Sequence, residues 1–179
     1  IVIVIVGILV AIAMPNFSAA QDRAKLASVK ANVRTLQITV ETYALDWGGI
    51  YPGSIPAITD TSDYKEIENP YTRVRGVSGT DGQGAWRTND EGAANLADNA
   101  LLNFNGEGGR STAGLAMYIG LDKDQHATTR FLAADGSGSS NPTTGYLLYG
   151  CDGSGKAIRR FIVSNGPLTE AAKRLKRGR

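Results

Sequence analysis

The sequence is short of the residues on which nucleophilic and general-base chemistry is usually built. Among its 179 residues there is one cysteine, Cys151, and one histidine, His126. A single cysteine excludes an intrachain disulfide, and its expected role is that of a small, buried apolar residue, ahead of cross-linking subunits. No serine or cysteine motif points towards His126 as a base. A Cys151–His126 nucleophilic pair is therefore the weaker reading beside a polar surface histidine, and no enzyme is expected. Charge imbalance is also lacking: 19 Lys and Arg against 17 Asp and Glu leave a net charge of +2, which gives no whole-protein case for nucleic acid. Charge is absent altogether from the first 21 residues, since the earliest charged side chain is Asp22.

What fills that uncharged stretch is Ile1, Val2, Ile3, Val4, Ile5, Val6, Gly7, Ile8, Leu9, Val10, Ala11, Ile12, Ala13, Met14 and Pro15, followed by Asn16 and Phe17. Coiled into a helix, 21 residues reach about 30 Å, the hydrocarbon thickness of a bilayer. The Ile/Val alternation at its start would suit a buried strand in water. Lipid reverses that preference, because a lone spanning segment must satisfy its own backbone hydrogen bonds and only a helix does so. Gly7 and Pro15 are its weak points, one through backbone entropy and one through a deleted hydrogen bond.

Beyond it, Leu26, Val29, Val33, Leu36, Val40, Tyr43 and Trp47 recur at spacings of 3, 4, 3, 4, 3 and 4, with Lys25, Lys30, Arg34, Glu41 and Asp46 largely off that line. The spacing predicts a one-sided helix that packs this stripe on the rest of the protein. Gly48 and Gly49 supply its C-terminal stop, and Pro52 and Pro56 bar its continuation. The same rod is thus apolar all round at one end and half-buried in a head at the other.

The run from Gly7 to Phe17, then Ala24-Lys25, then Tyr43-Ala-Leu-Asp46-Trp-Gly48-Gly49-Ile-Tyr51-Pro52, resembles the N-terminal helix of type IV pilins and of type II secretion pseudopilins. The resemblance covers roughly the first third of the chain. It implies an α+β pilin-like fold, a long N-terminal helix on a small antiparallel sheet with a loop-rich head. It also implies a monomer anchored in the inner membrane, handled by an assembly platform, and then packed against copies of itself in an extracellular filament. Family members begin with Phe or Met and carry a glutamate within the apolar stretch; neither is present here, and the expectation is that both lie a few residues upstream of Ile1. By the same resemblance, the segment between Gly7 and Pro15 loosens when subunits pass from membrane to filament. Many type IV pilins staple their C-terminal loop with a disulfide, and its absence here leans towards the pseudopilin-like or minimal pilin side.

The expected organisation is a helix over 1–47, with 1–21 for membrane or filament core and 22–47 amphipathic, a helix-to-sheet loop region over 48–112, and a sheet with a basic C-terminal segment over 113–179. Within the loop region, 90–104 offers a short helix. Strands are expected at Leu115–Ile119, Arg130–Ala134, Tyr146–Tyr149 and Ile158–Val163, and a short helix at Leu168–Leu175. The glycines crowd the second half of the chain, which fits a tightly turned head.

Several motifs invite chemistry and are outweighed. Gly150-Cys-Asp-Gly-Ser-Gly155-Lys156-Ala157 follows the phosphate-loop spacing until Ala157 replaces the magnesium-binding hydroxyl, and a strand follows where a helix is required, so a hairpin turn is expected. No cofactor is expected; calcium at Asp122–His126 is the one ligand the pseudopilin resemblance brings in, and the segment lacks the glycine and distal glutamate of an EF-hand loop. The tail Lys173–Arg179 leaves DNA or anionic lipid open as a contact, against the default of a solvated helix end. Asn16-Phe-Ser18 is a poor sugar acceptor inside a membrane or filament core, and 137–144 reads as a flexible loop with O-linked sugar as the alternative. Phe17, Tyr43, Trp47 and Tyr51 fill space along the rod and make no case for electron conduction.

Three functions follow in order: the major subunit of a type IV pilus-like filament serving adhesion, motility or DNA uptake; a periplasmic pseudopilus subunit for protein secretion; and a soluble secreted binding protein whose signal peptide ends at Ala11-Ile-Ala13. The last is disfavoured by the helical pattern resuming directly after Pro15.

Overall fold

The computed structural model describes residues 2–53, 55–59, 64–78, 84–88, 113–121 and 143–166. Its first element, α1 (Val2–Asp46), is an unbroken helix of 45 residues that passes through both Gly7 and Pro15. At 1.5 Å per residue it is about 68 Å long. Threonines within it compete little with the helix, because their hydroxyls donate to the carbonyl one turn back: Thr35 to Ala31 and Thr39 to Thr35 at 3.2 Å, Thr42 to Ile38 at 3.0 Å. The end is set by two glycines. Gly48 and Gly49 take φ of 64° and 91°, and the Gly49 amide donates back to Ala44 at 2.7 Å, the longer hydrogen bond of a Schellman ending.

A single turn of helix, α2 (Ile55–Thr59), follows and buries Ile58. The chain then forms a narrow hairpin in which Glu68 bridges Arg75, and Val77 bridges onward, in parallel, to Trp86. Among the described residues four strands make the sheet: β1 (Trp86–Thr88), β2 (Ala116–Leu121), β3 (Gly145–Cys151) and β4 (Ala157–Ser164), in the spatial order β1-β2-β3-β4.

The architecture is α+β as expected, but the sheet is mixed and not antiparallel. β2, β3 and β4 pair antiparallel, whereas β1 lies parallel to β2 with Trp86 opposite Ala116. A parallel pair needs a long connection, and the chain from 89 to 115 supplies one. The loop region expected over 48–112 thus contributes α2 and an edge strand. The three later strands fall on the segments expected at 115–119, 146–149 and 158–163, each a little longer. The expected strand at 130–134 and the expected helices within 90–104 and 168–175 lie outside the described residues.

Alternation divides the strands between two cores. Ala116, Tyr118, Tyr146 and Leu148 face α1 and meet Val33, Leu36 and Val40, with Ile58 and Trp86 closing the cluster. Met117, Ile119, Leu121, Leu147, Tyr149 and Cys151 form the other face and are also buried. Fully burying an aliphatic side chain of this kind contributes about 1.5–3 kcal/mol, so the seat of the helix is the main stabilising contact of the rod with the head. The helix approaches the sheet closely at Gly150, where an added Cβ would lie 2.7 Å from Val29 Cγ1 and 3.4 Å from Val33 Cγ2.

Candidate functional site: the exposed apolar half of the helix

Among the described residues, the core clusters of the head take in no side chain from the N-terminal half of α1. Val2, Ile3, Val4, Ile5, Val6, Ile8, Leu9, Val10, Ile12, Met14 and Phe17 are each at least 50% exposed, and Gly7, Ala11 and Ala13 are exposed between them. A Cβ at Gly7 would meet no atom within 4 Å. Ile1 and the side chain of Pro15 lie outside the described residues. Scattered exposed leucines are ordinary; a continuous apolar surface is not, and in general such surfaces are found where proteins meet a membrane or another protein. Among the described residues α1 is the one helix long and apolar enough to cross a membrane, and a signal sequence near an N-terminus meets the same criterion.

Of the stripe expected to pack on the head, Val29, Val33, Leu36 and Val40 are buried, and Leu26 and Tyr43 are half-buried. Trp47 is a correction. It is 62% exposed and stacks on Tyr43, with ring centroids 5.6 Å apart and planes 15° from parallel. The helix stops at Asp46, so the 3–4 spacing no longer carries the next side chain round to the sheet.

A polar seam fastens the upper part of this interface, and nothing in the apolar periodicity announces it. The Glu41 carboxylate accepts from the Tyr146 hydroxyl and, at 3.3 Å, from the Tyr51 hydroxyl; Gln37 Nε2 donates to the Tyr146 oxygen at 3.3 Å. The Tyr118 hydroxyl donates to the Pro52 carbonyl at 2.6 Å, and Trp86 Nε1 to the Tyr64 oxygen at 2.9 Å. Burial pushes the Tyr118 phenol well up from its ordinary range, and burial with the Glu41 hydrogen bond does the same for Tyr146.

A second polar hub was equally hidden. Asn69 is fully buried; its Nδ2 donates to the carbonyls of Gly84 at 2.9 Å and Ala113 at 2.8 Å, while its Oδ1 accepts from the Tyr71 amide at 2.9 Å. One amide side chain therefore ties the hairpin to the segments leading into β1 and β2. Asn-Pro at 69–70 signals a turn, and only that local part could be read in advance.

The motifs that mimic chemistry resolve into structure. Residues 152–156 are the turn between antiparallel β3 and β4, with Gly155 at φ 77°. Asp152 Oδ1 accepts from the Ser154 amide at 2.8 Å, the Ser154 hydroxyl at 2.7 Å and the Lys156 amide at 3.0 Å, so amides that would cradle a phosphate already hold a carboxylate. Cys151 is buried in β3, and burial together with the Asp152 charge pushes its thiol up to about 12. Such a thiol stays protonated and unreactive. Asp122–His126 and the basic tail lie outside the described residues, and among the described residues no group of three or more His, Cys, Asp or Glu gathers at a metal-binding distance. Comparison with protein-family models, with curated proteins and with solved structures finds no match to this chain.

Proposed function

We propose that this protein is a structural subunit of a helical filament of the type IV pilin kind, held in a membrane as a monomer and assembled through the apolar half of α1. The observation that carries this reading is the division of one helix into a buried half and an exposed apolar half. A surface of this kind is stable in lipid or against equivalent helices, and a head-to-tail arrangement of identical rods that does not close generates a fibre. Residues 2–17 form the filament core, and the head is displayed outside it. The chain performs no catalysis in this role and requires no cofactor.

The runner-up is a periplasmic pseudopilus subunit of a type II secretion system, which the lone, buried Cys151 favours over a disulfide-stapled pilin. Electron microscopy of material shed from cells at native expression, with mass spectrometry of the subunit's N-terminus, tests both. Long surface fibres built of this chain, with an N-methylated residue at the mature N-terminus of the subunit, are expected. Fibres absent from the surface but present on secretion-system overexpression shift the assignment to the pseudopilus; soluble monomer starting near Met14 defeats both.

A further inference from the structure

We infer that the end of the head from which the apolar half of α1 emerges is a docking face for anionic lipid headgroups, an inference that rests on the membrane-anchored monomer proposed above. Two turns of the head converge there. In the hairpin, Asn32 of the helix donates to the Glu68 carbonyl at 2.7 Å, whereas three residues on, Tyr71 lies under Lys25, whose Nζ is 5.2 Å from the ring centroid. The hairpin tip has thus descended two turns of α1 towards its apolar half. Strand β3 descends the same way, from Tyr146 beside Gln37 to Gly150 beside Val29, and its following turn reaches Tyr71, where a Cβ on Gly153 would lie 2.7 Å from the ring.

Both turns therefore sit at the level of Asp22–Lys25, directly past the last uncharged turn of the helix. From Ala20 to Lys25 is about 7 Å along the axis, close to the depth of one headgroup layer. Among the described residues this end carries Arg23, Lys25, Arg73 and Lys156 against Asp22 and Asp152. Asp152 is engaged by the amides of its own turn, and Glu68 is shared between Arg73 and Arg75 at 3.4 and 3.1 Å. Arg73 and Arg75 nonetheless leave 82% and 67% of their side chains exposed. A cationic collar at this depth meets lipid phosphates when the apolar half is in the bilayer, and each cation near an anionic surface adds to the attraction. Docking would fix the height and tilt of the head before assembly.

The test is lysine acylation of the full chain bound to vesicles, read by mass spectrometry. Vesicles of phosphatidylcholine alone are compared with vesicles containing phosphatidylglycerol, and Lys65, at the far end of the hairpin from its tip, is the internal control. Labelling of Lys25 and Lys156 should slow about tenfold on the anionic vesicles, with Lys65 unchanged, and molar salt should abolish the difference. Equal labelling on both vesicle types, with the chain still floating with each, overturns the docking face and leaves the membrane anchor standing. The same slowing produced by inorganic phosphate on neutral vesicles, or an equal slowing at Lys65, also overturns it. A chain that floats with neither vesicle overturns the anchor itself, and the docking face with it.

Discussion

The two halves of α1 share a backbone and differ in what surrounds them. In residues 26–43 the buried apolar side chains occupy one line, and the remaining positions are mostly polar or small, with Ile38 the exposed exception, so the helix has an inside and an outside. In residues 2–17 there is no such division, since every direction is apolar. The first of these stretches is seated on the head's cores, and the second is exposed. Period, more than total hydrophobicity, separates a helix that packs on its own head from one that packs elsewhere.

That difference can be broken most completely by deletion. Removing residues 2–20 should abolish flotation with vesicles while the head keeps its cooperative melting transition, because none of the deleted residues belongs to the described cores; loss of the transition would mean that the halves are not separable. Single substitutions sharpen the same contrast. Leu36→Ala, at a side chain 2% exposed, should lower unfolding free energy by about 2–5 kcal/mol in denaturant titration, whereas Leu9→Ala in detergent should leave the head's midpoint unmoved. Asn69→Ala tests the hub that no periodicity marks. It leaves the Gly84 and Ala113 carbonyls without their donor and should cost about 1–3 kcal/mol by the same titration.

The smallest effect is one of pH. Tyr118 and Tyr146 hold their protons more tightly folded than unfolded, so their contribution is intact below the ordinary phenol value near 10.0 and is lost as pH rises above it. Melting temperature should be flat across neutral pH and fall above pH 10.0, and Tyr118→Phe should soften that fall. An unchanged alkaline slope in Tyr118→Phe would remove this phenol from the explanation.

The sequence exposes one scale of this structure and conceals another. The rod, its stripe, its Gly48-Gly49 stop and strands β2 to β4 are local patterns, each legible from spacing or turn chemistry within a few residues. β1 has three residues, too few to show a period, and its parallel partner is fixed by a connection whose course the sequence does not state. Glu41 reads as a solvated off-stripe acid, and only the fold brings Tyr146 to it across 105 residues of chain. Trp47 shows the opposite error, a periodic position that lost its meaning one residue after the helix ended. Of the proposed site, the apolar half was evident from residues alone, because its signal is composition; the collar of turns at the head's edge was not, because its members come from three separate stretches.

The hydrogen atom that stands for a side chain at residue 150 governs the geometry of display. It lets α1 sink onto β3 at Val29, near the point where the rod leaves the head, and so acts as the fulcrum about which rod and head are set. A Cβ there would meet Val29 Cγ1 at 2.7 Å, so any larger residue requires Val29, or the helix that carries it, to shift at that end. Small errors of angle at a fulcrum grow with the length of the arm. Gly150 therefore determines where the head stands relative to whatever holds the far end of the helix.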